Sequence, residues 1–114
     1  MIPKKLNILG TDYKVILKEL IESSMGSAQG CCDKNGKTIV IHSTLELKDL
    51  LVTYIHEVGH GMFREAGWDC AISGQLEEAV VEVYANFIVK NFIDVEGMQA
   101  EIDELNKKNK KKRK

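Results

Sequence analysis

Five residues, His56-Glu57-Val58-Gly59-His60, constrain this chain more than any other stretch. Read as H-E-x-x-H on a helix, they put two imidazoles four positions apart, on one face and aimed at a single divalent ion. Glu57 then stands where a carboxylate can take a proton from an attacking water and hand it to a leaving amine. From Leu50 to Phe63 Glu57 is the only formal charge. A solvated helix carrying the pattern by accident would have charged neighbours.

At about 100° per residue, Leu47, Leu51, Tyr54, Ile55, Val58 and Met62 form an apolar stripe, and Asp49, Thr53, His56, His60 and Arg64 fall opposite. The expected helix therefore has a core face and a cleft face. Gly59 and Gly61 bracket His60, each costing roughly 1 kcal/mol in a helix interior relative to alanine. That cost predicts that something needs close access there.

Two histidines do not complete a catalytic zinc site, which takes three protein ligands and leaves the fourth position open. Residues Gly74 to Asn91 read as a second helix, with Leu76, Val80, Val83, Tyr84 and Phe87 as its core stripe. Glu78, Glu82, Ala85 and Val89 lie on the other side. Glu78 and Glu82, one turn apart, are the candidate third ligands, and small Ala85 would let the two helices approach closely. Arg64 is the oxyanion candidate on the histidine face, while Tyr54 and Tyr84 lie elsewhere on their helices.

Leu51 to Gly61, followed by Glu77-Glu78-Ala79-Val80-Val81 and Ala85-Asn86, resembles small zincin-like metallopeptidases encoded by bacteriophages, related to the ImmA/IrrE and SprT-like groups. The resemblance spans about two thirds of the chain. It implies a zinc peptidase with His56, His60 and a glutamate as ligands and Glu57 as general base. The E-x-V-V register of that family selects Glu78, while the ImmA/IrrE pattern E-x-x-A-N selects Glu82, and both stay open. It also implies an edge strand beside the metal helix, to which an extended peptide substrate adds by backbone hydrogen bonds. The second hairpin is the expected edge.

The remaining chain supplies the frame. Leu6, Ile8, Tyr13, Val15 and Leu17 alternate around a turn at Gly10-Thr11-Asp12, and Asn35-Gly36 separates two further strand-like runs. The expected fold is α+β: an antiparallel sheet of three or four strands, then two packed helices in a minimal zincin-like arrangement. Residues 1–96 would form the domain and 97–114 a charged helical or disordered tail. Ser23-Ser24-Met25-Gly26-Ser27 reads as a loop. Ser43-Thr44-Leu45-Glu46 fits a capping box opening the metal helix, Gly67 closes it, and Ser73 or Gly74 opens the next. His42 reads as a strand-end histidine.

Charge is unevenly distributed. Lys107 to Lys114 holds seven positive charges in eight residues, and setting those aside leaves 9 basic against 17 acidic residues, a formal charge of −8. Such a run reads as a solvated tail or a weak nucleic-acid contact, and no aromatic residue interleaves it to stack bases. No run approaches the ~18 apolar residues of a membrane helix, so no membrane contact is expected. Cys31, Cys32 and Cys70 are odd in number and lack disulfide-framework spacing. Reduced cysteines and the absence of a signal-type apolar run predict the cytoplasm, the host's if the chain is phage-encoded. The second reading is a zincin-fold regulatory module that binds metal and a partner without hydrolysis, and the third a metal-free structural domain.

Overall fold

The computed structural model describes residues 2–19, 29–33 and 35–112. The 23–27 loop, Lys34 of the second turn and the last two residues of the basic run lie outside them. The elements are β1 (Lys5–Ile8), β2 (Thr11–Lys18), β3 (Gly30–Asp33), β4 (Thr38–His42), α1 (Leu47–Glu65), α2 (Gly74–Phe92) and α3 (Val95–Lys112). The protein is α+β, a four-stranded sheet followed by three helices.

Both expected hairpins form, β1 with β2 and β3 with β4. The first turn is Leu9-Gly10 rather than Gly10 to Asp12. Both its residues have positive φ, 49° and 97°, as a two-residue turn needs to match strand twist, so Thr11 and Asp12 join β2. Asn7 braces it, its side-chain oxygen accepting from the Gly10 amide at 2.9 Å.

The sheet is mixed, not antiparallel throughout. Its order is β1-β2-β4-β3, with β2 parallel to β4. The chain leaves β2, enters the sheet at the far edge as β3, and returns as β4 into the gap. Local turn chemistry specifies each hairpin, but only the shared core specifies how two hairpins join. Ile8, Tyr13, Val15, Ile39 and Ile41 face one side and bury against Leu50, with Tyr54 and Val58 packed on them.

Helix α1 is pressed from two sides at its glycines. A Cβ on Gly61 would sit 2.8 Å from Ile8 Cδ1, and one on Gly59 would sit 2.7 Å from Val81 Cγ1. The sheet and α2 therefore approach α1 more closely than any side chain there would allow. The capping box does not form. Glu46 is the N-cap residue without a side-chain cap bond, because Ser43 donates its amide to Lys18 O at 3.0 Å and stays tied to the sheet. The other boundaries fall as the sequence implies, with Gly67 at φ +77° after α1 and the Ser73 hydroxyl accepting from Leu76 N at 3.1 Å.

The stripe assigned to the core on α2 is the exposed one. Val81, Ala85 and Val89 are buried, while Leu76, Val80, Val83, Tyr84 and Phe87 face outward. Against Gly59 only small or branched residues fit, so the less hydrophobic side of α2 makes the contact. The tail expected to be helical or disordered is helical: α3 begins at Val95, and its first turns pack Val95, Met98 and Ile102 against Leu47, Leu51 and Val89. Asp94 accepts from Gly97 N at 3.0 Å at its start. The helix runs unbroken across 96/97 and carries the exposed Lys107, Lys108 and Lys110. Among the described residues no helix is long and apolar enough to cross a membrane.

Glu65, at the end of α1, binds three sequence-distant partners. It accepts from Tyr13 Oη at 2.6 Å and Thr11 Oγ1 at 2.7 Å and pairs with Lys37 Nζ at 2.9 Å. These bonds, Tyr13's first, hold its carboxyl at about 2, below the ordinary 4.5. A depressed carboxyl stabilises the fold above its unfolded pKa, and that contribution disappears as pH falls through the folded value. Denaturation midpoints measured from pH 6 to pH 2 should fall more steeply in the parent than in Glu65→Gln, which starts lower at neutral pH. Equal slopes would exclude the network as a source of acid sensitivity.

Candidate metal centre

His56, Glu57 and His60 lie on α1, and Glu77, Glu78 and Glu82 face them from α2. The helix contact of Gly59 with Val81 sets the separation, bringing one turn of carboxylates over one turn of imidazoles. His56 Nδ1 meets Glu82 Oε2 at 2.8 Å, and His60 Nδ1 meets Glu77 Oε2 at 2.6 Å. Each Nδ1 is placed to donate to the carboxylate behind it, and in that tautomer the Nε2 atom is the one free to ligate a metal.

Those two Nε2 atoms face each other at 3.2 Å. Glu78 reaches both, with Oε1 at 2.8 Å from His56 Nε2 and Oε2 at 2.9 Å from His60 Nε2. Two ring nitrogens and two carboxylate oxygens thus converge, a set of contacts that ring protons donated to Glu78 or a bound cation would satisfy. A zinc ion suits the spacing, since ligands 2.0–2.1 Å from a tetrahedral zinc stand about 3.3 Å apart.

Donor atoms of His56, Glu57 and His60 come within 4.8 Å of one another, as do those of His56, Glu78 and Glu82. The glutamates nevertheless differ in position. Glu78 bridges the Nε2 pair, whereas Glu82 sits behind His56 on the Nδ1 side and also accepts from Asn86 Nδ2 at 3.0 Å. Glu82 thus has the place of a ring-orienting group, and Glu77, which sequence reasoning did not single out, has the same place behind His60. A buried glutamate in a helix, 6% exposed, is the signal that would have found it, but burial is not visible in sequence.

Glu57 is buried and lines a cleft of about 350 Å³ with His56, Glu78, Glu82, Val52, Thr53, Gln29 and Gly30. β3 forms one edge of the sheet and closes that cleft. A Cβ on Gly30 would come within 2.7 Å of Thr53 and 3.5 Å of Glu57, so the strand lies directly along the Glu57 side of α1. Thr53 Oγ1 donates to Gln29 Oε1 at 3.2 Å and ties the two together.

Other sequence candidates lie elsewhere. Arg64 pairs with Asp69 at 3.3 Å, Tyr54 packs on the sheet, and Tyr84 is on the outer face of α2. His42 ends β4 beside Thr44 Oγ1 at 3.2 Å. Neither metal-capable group includes a cysteine, and burial, then the Glu57 charge, pushes the Cys31 thiol up. No protein-family model, curated protein or solved structure matches this chain.

Proposed function

We propose that this protein is a zinc-dependent peptidase of zincin-like design, in which His56, His60 and Glu78 hold the metal and Glu57 is the general base. The reading rests on one observation above others: both histidine Nε2 atoms and both Glu78 oxygens converge, while each ring's Nδ1 faces a second carboxylate. A zinc ion bound there supplies a Lewis acid that polarises a carbonyl and acidifies water.

The chain's own residues do the rest. Glu77 and Glu82 fix the ring tautomers and orientations, as carboxylates behind metal-binding histidines do. Glu57, buried in the cleft, takes the proton from the attacking water and returns it to the departing amine. The outer edge of β3 holds an extended peptide by backbone hydrogen bonds, and Gly30 lets that strand lie close against the Glu57 side of α1. Specificity pockets are few in so small a cleft, which fits sequence-tolerant cleavage of unfolded chains.

Protein purified without added metal should contain about one zinc per chain. It should cleave an unfolded protein substrate, stop when chelator is added and resume when zinc is restored. A chain that takes up no divalent metal at micromolar zinc excludes the reading. Tight zinc binding without cleavage would favour the non-hydrolytic partner-binding module instead.

A further inference from the structure

We propose that the outward face of α2 is a self-association surface, on which a second copy of this chain packs its own α2 antiparallel across a two-fold axis. Leu76, Val80, Val83, Tyr84 and Phe87 are 51, 44, 71, 52 and 55% exposed. Four of them follow the 4-3-4 spacing of a helix-packing seam, positions 76, 80, 83 and 87, and a seam with this period is complementary to another helix. The core of the monomer does not use it, because α2 meets α1 through Val81, Ala85 and Val89 on the other side.

Self-complementarity selects the occupant. In an antiparallel pair centred between Val80 and Val83, Leu76 of one copy faces Phe87 of the other, the two valines face each other, and Tyr84 lies over Ala79. Large residues thus meet large ones at the ends, and the bulky tyrosine meets the smallest side chain. A two-fold interface requires this kind of match of a surface with itself.

Charge agrees. Away from its basic run the chain carries a formal −8, which opposes self-association over most of the surface. From Ala79 to Val89 the sole charged residue is Glu82, and it is turned to His56 Nδ1 at 2.8 Å. No like charges therefore oppose each other across the axis, and no charged group is offered to a polyanion. The five side chains expose roughly 500 Å² per copy, so through them a pair buries up to about 1,000 Å², the lower bound for a specific interface. The contact is accordingly a weak dimer, dissociating on the order of 1–100 µM.

Sedimentation of the full chain from about 1 to 300 µM tests this range. The parent should shift from monomer to dimer. Val83→Glu and Phe87→Glu, both at exposed positions, should remain monomeric throughout while keeping the parent's helical circular dichroism and melting temperature. A parent that stays monomeric at every concentration overturns the proposal, including one that instead captures an amphipathic helical peptide on this face. So does dimerisation of both variants at the parent's concentration.

Discussion

Glu57→Gln should keep the bound zinc and lose hydrolysis, with cleavage of an unfolded substrate falling about 10²- to 10⁴-fold, the range ascribed to a general acid–base group. Glutamine has nearly the same volume, so the buried pocket against Thr53 and Gly30 stays filled and the cleft keeps its shape. What changes is the ability to accept a proton. At about 1.4 kcal/mol per factor of ten, the expected loss is roughly 3–5 kcal/mol in barrier height. Metal content by mass spectrometry and cleavage rate should therefore separate cleanly. Cleavage at the parent's rate would remove Glu57 from the chemistry.

Glu78→Ala should remove the metal itself. Its carboxylate spans both Nε2 atoms, so the variant retains a two-imidazole site of much lower affinity. The side chain is 58% exposed, and the apo fold should tolerate its truncation. The readout is thermal. Saturating zinc at 1,000 times Kd stabilises a protein by about 4 kcal/mol, and the resulting rise in melting temperature should vanish in Glu78→Ala. Glu82→Ala should keep it, with affinity reduced about 10- to 100-fold for loss of a ring-orienting carboxylate. The reverse pattern would exchange the two glutamates' roles.

Several elements were readable residue by residue. Turn residues marked both hairpins, Gly67 and Ser73 marked helix ends, and the four-residue spacing put His56 and His60 on one face with Glu57 between them. These are local signals, set by the backbone freedom and hydrogen bonding of a few adjacent residues. Where local rules compete with tertiary ties they failed. Ser43 satisfies the capping pattern on paper, but its amide is held by Lys18 at the sheet's end. The first turn moved because Leu9 accepts positive φ beside Gly10.

The α2 face is the most instructive error. Periodicity identifies which residues share a side of a helix and how apolar that side is, but not what covers it. The richest stripe, Leu76 to Phe87, points to solvent in the monomer, because Gly59 leaves a shallow seat that takes Val81. The same docking turns Glu77 inward to His60, giving it a place that no spacing rule could assign.

The amino-acid order alone determined the α+β composition of elements, the two hairpins, and the paired histidines with a glutamate between them, because each follows from interactions within a few residues. Tertiary structure decided the parallel pairing of β2 with β4, the docking of α3's first turns on α1 and α2, and which of three neighbouring glutamates faces which ring nitrogen. Those outcomes depend on how closely two elements can approach, and that distance is set at Gly59 and Gly61 by residues far away in the chain.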